Sequence, residues 1–292
     1  GFCNCGTYVS PYCENKGYPT GTTNCCICEN APIIDWVTPI GGFCDGSPDT
    51  PCQNNSDCAA FIPGTCNTAT ANGAVGNLVT IGGQYFGAVQ GTGKVEFSDD
   101  GGTSWKLAKL AHLVNNLCQN DWSDNQIIVE VPANVSKVPD AQIKVTAANT
   151  FFDTSKSNDG RGPDFDFVVN GIQRPGLCDL SPSYGIMNNP ITYQGIRLSG
   201  VNAKFGNISS FVNGLNSSFT VDTSGTADVP NITTGKTSTF VINALNINSN
   251  FLNFTKNAEA PLGPKITSFE PVQGPPGQYV TIYGSGFGNT KG

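Results

Sequence analysis

The sequence predicts an all-β protein cross-linked by disulfides, on three observations. Short runs of Val, Ile, Thr and aromatic residues alternate with Gly, Pro and Asn, the residues that punctuate strands with turns. Glycine and proline are abundant, at 35 and 19 in 292 residues, which disfavours long helices. Twelve cysteines, an even number, point to six disulfides and an oxidising compartment. A chain of this length holds about two or three domains, each able to bury a core.

Residues 1–31 form a cysteine-rich amino-terminal segment with Cys3, Cys5, Cys13, Cys25, Cys26 and Cys28. A stretch rich in Gly, Asn, Thr and Pro builds no core of its own, so cross-links are expected to hold it. Its connectivity stays open, because six cysteines allow fifteen pairings. Four further cysteines, Cys44, Cys52, Cys58 and Cys66, are spaced eight, six and eight residues apart within an insertion at 43–75, which suggests two local bridges. Cys118 and Cys178 are isolated; Cys178 has Cys118 or the amino-terminal segment as possible partners. Zinc would require paired C-x-x-C or histidine ligands. Cys26 and Cys28 are one residue apart and His112 is the only histidine, so no metal is expected.

The strands follow in order. Pro32–Gly42 reads PIIDWVTPIGG and, after the insertion, Gly76–Gly87 reads GNLVTIGGQYFG. Then come Lys94–Trp105, Trp122–Pro132 and Ala141–Asn149. The stretch TSWKLAKLAHLVNNL between them predicts a helical turn at most. A more diverged series runs through Cys178–Gly185, Ile191–Gly200, Ala227–Asn243 and Ser249–Phe254. Finally Gly263–Gly288, GPKITSFEPVQGPPGQYVTIYGSGFG, repeats the first pattern: I-I-x-x-x-x-P at Ile33–Pro39 beside K-I-x-x-x-x-P at Lys265–Pro271, then V-T-I before a Gly-rich bend. Alternation in Tyr279–Tyr283 predicts a strand with one face buried.

These repeats resemble the IPT/TIG domain, the immunoglobulin-like module of cell-surface receptors and some transcription factors. The resemblance implies tandem immunoglobulin-like β-sandwiches: a first domain at 32–170 carrying the insertion, a second at 171–262, and an incomplete third at 263–292.

Composition narrows the function. A net charge of −7 with 15 thinly spread basic residues provides no basic stripe for nucleic acid, and no apolar run reaches the length of a membrane span. The first residue is Gly1, so removal of a signal peptide is expected. Six N-x-[ST] sequons, at Asn54, Asn134, Asn207, Asn216, Asn231 and Asn253, predict an extracellular or cell-surface glycoprotein with N-linked glycans as partners. Catalytic constellations are missing: one histidine completes no triad, and no nucleophile elbow or phosphate loop is present. The protein is therefore expected to be no enzyme and to need no cofactor. Ser98–Trp105, SDDGGTSW, fits the S-x-D-x-G-x-[ST]-W box known from sialidase propellers, but one copy in a hairpin is expected to be structural. Asp164 and Asp166 are expected to be turn residues. Tyr85, Phe86, Trp105 and Trp122 are candidates for stacking on sugar rings, or simply core aromatics.

Two strands alone bury no apolar face. Ile266, Phe269, Val280, Ile282 and Phe287 therefore need partners: either the chain continues beyond Gly292 and supplies the missing strands, or strand addition between copies supplies them in a head-to-tail, open assembly. The function expected is an extracellular structural glycoprotein, the self-assembling subunit of a surface filament or fibrous appendage. The alternative is a receptor-like or adhesin ectodomain that binds a protein or glycan.

Overall fold

The computed structural model describes residues 2–7, 24–29, 31–157, 162–207, 210–242, 247–257 and 265–285. The fold is all-β, as the strand-and-turn composition predicts. At the amino terminus β1 (Phe2–Thr7) and β2 (Asn24–Glu29) pair antiparallel, with Cys3 opposite Cys28 and Cys5 opposite Cys26. The sulfur pairing of the six amino-terminal cysteines lies outside the described residues.

The first core follows. β3 (Ile33–Thr38) leads into a small lobe made of β4 (Phe43–Cys44), β5 (Ser47–Pro51), a 3-10 turn at Asn55–Cys58 and β6 (Cys66–Asn67). The chain re-enters the core through β7 (Ala71–Ala74), buried throughout, so the end of the 43–75 insertion is core strand. β8 (Leu78–Gln84), β9 (Lys94–Ser98), β10 (Lys106–Leu107) and β11 (Lys109–Leu110) follow. The one helical signal becomes a 3-10 turn, Ala111–Leu113. Next come β12 (Trp122–Ser123), β13 (Gln126–Glu130), β14 (Gln142–Thr146), β15 (Phe152–Thr154) and β16 (Phe167–Asn170). Two sheets face each other, ordered β11-β13-β8-β3 and β10-β9-β14-β15, and β7 runs parallel to β16. Alternate residues of both sheets, Val79 and Ile81, Val95 and Phe97, Ile127 and Val129, Ile143 and Val145, fill the space between them with Phe167, as period-two alternation requires.

The second core begins at β17 (Gly176–Ser181), then β18 (Tyr184–Gly185), β19 (Pro190–Ile196), β20 (Asn202–Asn207), β21 (Ser210–Asn213), β22 (Leu215–Val221), β23 (Ser224–Asp228), β24 (Gly235–Ile242) and β25 (Leu252–Lys256). Its sheets run β17-β19-β23-β22 and β18-β25-β24-β20-β21, closing on Leu177, Ile191, Tyr193, Phe205, Val241 and Phe254. Phe205 and Phe254 meet edge to face at 5.3 Å between ring centroids.

The two cores share a wall. Leu78 of β8 and Ile128 of β13 point away from Val79 and Ile81 and belong to the second core, with Ala111 and Cys118. The sheet β11-β13-β8-β3 is thus buried on both faces near the junction, and each large apolar side chain so covered contributes about 2 kcal/mol. Last comes a hairpin of β26 (Lys265–Glu270) and β27 (Thr281–Ser285), paired with each other in a two-stranded sheet.

Candidate functional sites

The carboxy-terminal hairpin presents its apolar residues to solvent. From Ile266 to Gly284 every residue except Pro271 is exposed, including Ile266 at 58%, Phe269 at 49%, Val280 at 52% and Ile282 at 53%. The buried face expected for this strand is therefore not formed: the alternation is present, but within the described chain no second layer packs on it. Ile266, Phe269, Val280 and Ile282, with Pro271 and Pro275, line one concavity of about 380 Å³. Phe287 lies outside the described residues.

The cysteines pair as three described bridges, Cys44–Cys58, Cys52–Cys66 and Cys118–Cys178. The sulfurs of Cys44, Cys52 and Cys58 lie within 4.8 Å of one another, a cluster those two crossed bridges account for without a metal. Cys118–Cys178 ties the segment before β12 to β17.

Around that bridge the junction is polar and buried. Asn250 donates its amide to Thr80 Oγ1 and the Leu177 carbonyl, both at 2.7 Å, and accepts from the Leu177 N–H. Arg174, 2% exposed, donates to the carbonyls of Gly41 (2.7 Å) and Asn248 (3.1 Å) and to Asn72 Oδ1 (2.8 Å). Burial pulls its pKa down to about 10, so the guanidinium stays charged at neutral pH. Arg197 donates to the carbonyls of Arg174 and Gly76 and to Asn77 Oδ1. These two arginines act as connectors between loops of both cores, because each donor group has several N–H bonds in one plane.

The Ser98–Trp105 box is the β9–β10 turn. Ser98 Oγ donates to Asp100 Oδ1 (2.7 Å) and accepts from the Gly102 N–H (2.8 Å), while the Ser104 N–H donates to Asp100 Oδ1 (2.9 Å). Gly101 and Gly102 adopt φ of +71° and +88°, which a side chain would strain. The Ser104 hydroxyl, then the Ser104 N–H and the Ser98 hydroxyl, hold Asp100 down at about 2. Lys106 pairs with Asp99, and the Lys144 ammonium lies 4.1 Å above the Trp105 ring. The side chains of Ser98, Asp100, Thr103 and Ser104 are all hydrogen-bonded within the turn.

The sequons are at the surface: Asn54, Asn134, Asn216, Asn231 and Asn253 are all exposed, and the side chain of Asn207 lies outside the described residues. Asn54 caps the 3-10 turn through its Oδ1, and Asn216 donates to Asp228. His112 Nδ1 sits 2.8 Å from Asp121 Oδ2, which also accepts the His112 N–H. Asp166 pairs with Lys156.

The aromatic candidates are redistributed by the fold. Phe86 is fully buried, Trp122 packs against the first core and donates to the Phe86 carbonyl, and Lys144 covers Trp105. The aromatics that border a cleft are the half-buried Trp36 and Phe165 together with Phe251, which is only 5% exposed. They border a volume of about 600 Å³ whose other walls include Asp35, Thr38 and Asp166. Trp36 and Phe251 are 215 positions apart in the chain, so no local pattern links them.

Among the described residues no helix is long and apolar enough to cross a membrane. No curated protein matches the chain by sequence. Solved structures align loosely. The surface glycan-binding protein SGBP-B of a xyloglucan utilization locus in Bacteroides uniformis aligns at 13% identity over 78% of this chain and 50% of its own, with a TM-score of 0.25. Its counterpart from the mixed-linkage glucan locus of Bacteroides ovatus aligns at 14% over 67% and 45%, TM-score 0.24. The BSP domain of a biofilm associated protein aligns at 15% over 65% and 29%, TM-score 0.30. The chain spans half or less of the length of each. Likeness at this level carries no argument about ligands. The IPT/TIG domain family matches residues 264–292, the stretch that holds the hairpin and its V-T-I strand.

Proposed function

We propose that the protein is an extracellular, non-enzymatic structural protein whose subunits assemble head to tail through immunoglobulin-like sheets. In this reading residues 32–170 and 171–262 are two fused IPT/TIG-like domains, and 263–292 is the contact segment. One observation carries it: β26 and β27 form a two-stranded sheet with Ile266, Phe269, Val280 and Ile282 half exposed. A sheet of two strands is marginal in water, and its free edges and uncovered apolar side chains call for further strands. Strands supplied by the next copy would satisfy backbone and side chains together, as would further strands of the same chain, and the assembly test below separates the two. Because donor and acceptor surfaces differ, the contact repeats from copy to copy, and in this reading the rotation between copies does not close into a ring. The three bridges fit an oxidising, extracellular setting, and the exposed sequons give N-linked glycans room to attach.

Negative-stain images and light scattering of the purified chain test the assembly. Ordered, concentration-dependent polymers are expected, and Phe269→Asp with Ile282→Asp should leave folded monomers. Wild-type protein that stays monomeric at all concentrations, or a double variant that still polymerises, would overturn the proposal.

A further inference from the structure

We infer that the cleft bordered by Trp36, Phe165 and Phe251 binds a short neutral oligosaccharide. The inference stands on the cleft alone and does not rest on assembly through the hairpin. Its volume, about 600 Å³, lies within the range of ligand sites, which favour seams between packed units. The seam here runs between β3 and the start of β25.

The platform is held rigidly. Trp36 lies across the backbone of Gly82: a Cβ at that position would come within 2.0 Å of the indole, so glycine is what lets the ring lie down against the sheet. The Phe251 ring meets Phe211 edge to face at 5.6 Å, and its N–H donates to Thr38 Oγ1 at 3.0 Å. Phe165 is held by its N–H bond to the Ser155 carbonyl at 2.8 Å.

The polar rim decides the ligand class. Asp35, on the bulge of β3, accepts from Gln84 Nε2 at 3.3 Å. Asp166 is paired with Lys156. Each wall therefore offers an acceptor beside a donor, with one oxygen of each carboxylate left over. Hydroxyl groups both donate and accept, so they match such pairs. The apolar C–H face of a pyranose ring matches an aromatic surface. A cationic ligand would use the aromatics and the carboxylates but would set its charge against Lys156. An aliphatic ligand would desolvate the remaining oxygen of each carboxylate without supplying a donor to it.

The test is a glycan array carrying neutral β-glucans, α-glucans, mannans and released N-glycans, followed by titration calorimetry and tryptophan fluorescence with the best oligosaccharide. Binding is expected with a change in tryptophan emission. Trp36→Ala should weaken it about tenfold or more, as losing a stacking ring does, and Trp36→Phe should restore part of it. Asp35→Asn and Asp166→Asn, both at the rim, keep the test alive if Trp36→Ala fails to fold; each should weaken binding without lowering Tm. Preference for polysaccharide fragments over N-glycans would name an external ligand, and the reverse would name glycoprotein chains. Ile282→Asp should bind as wild type does, which separates failure here from failure of assembly. No binding across the array, binding untouched by all three cleft positions, or binding of tetramethylammonium in place of sugars would overturn the inference.

Discussion

Two strands of this protein carry nearly the same sequence and meet opposite fates. In β8 Val79, Thr80 and Ile81 are completely buried; in the hairpin Val280 and Ile282 are 52% and 53% exposed, and Thr281 between them is exposed too. Both stretches read V-T-I ahead of a glycine, and both become strands. The difference is what lies over them. β8 has β13 on one side and β3 on the other, the first core below and Leu177 with its neighbours above. β27 has only β26. A β-branched alternating run specifies a strand, but burial requires a second layer that the run itself does not encode.

The sharpest way to break the comparison is to place the same charge in both strands. Ile81→Asp puts a carboxylate in a dry core and should abolish folding, since even truncating a buried isoleucine costs about 2–5 kcal/mol and an unpaired charge costs more. Ile282→Asp should leave Tm within a degree or two and affect self-association only. Circular dichroism melts of both variants decide it. Equal destabilisation would mean the hairpin is covered after all.

Next in size is the bridge that clamps the shared wall. Cys118–Cys178 closes a loop of 60 residues, and its removal in a Cys118→Ser, Cys178→Ser variant should cost about 2–4 kcal/mol in a denaturant titration. The loss should fall on both cores, because Cys118 and Cys178 pack in the second core while Leu78 and Ile128 join it to the first. Unfolding of one core alone would show that the wall is not shared energetically.

Arg174 is a smaller lever on the same junction. Arg174→Met keeps the aliphatic stem but strips the hydrogen bonds from the Gly41 and Asn248 carbonyls and from Asn72. The Gly41 carbonyl and Asn72 Oδ1 each keep a second donor, Asn72 Nδ2 and Asn170 Nδ2, so the cost is that of the lost charged hydrogen bonds, about 1–3 kcal/mol. A guanidinium chloride midpoint unchanged from wild type would show that water or rearrangement replaces them.

The smallest expected effect lies in the box turn. Asp100 is fully exposed, yet hydrogen bonds from Ser104 and Ser98 hold its carboxyl at about 2, below the ordinary value of 3.8. A depressed carboxyl contributes stability above the unfolded pKa and loses it as pH falls through the folded one. Wild type should therefore lose a little Tm between about pH 4 and pH 2 that Asp100→Asn lacks. Coincident pH profiles of the two would remove the turn from the stability account.

Much of the architecture was legible in the chain. The strands Lys94–Ser98, Gln126–Glu130 and Gln142–Thr146 announce themselves by alternation, and the Ser98–Trp105 box behaves as the hairpin its glycines demand, because side-chain to backbone bonds over four residues are local. The short helical signal near Lys106–Leu113 shrank to a 3-10 turn, because Ala108, Leu110 and Ala111 could be buried from short strand and turn geometry. The end of the 43–75 insertion proved to be β7, paired to β16 almost a hundred residues later, a partner no local pattern names.

What the sequence determined by itself was therefore the strands with a clear alternating run, the turn chemistry and the cysteine content, since these rest on residues a few positions apart; β7, β16 and β20 to β22 were not among them. Only the tertiary structure decided which faces were covered, that one sheet serves two cores, that Cys118 meets Cys178, and that Trp36, Phe165 and Phe251 border one cleft. Those outcomes depend on long-range packing, where identical strands such as Val79–Ile81 and Val280–Ile282 differ only in the neighbours that the rest of the chain brings to them.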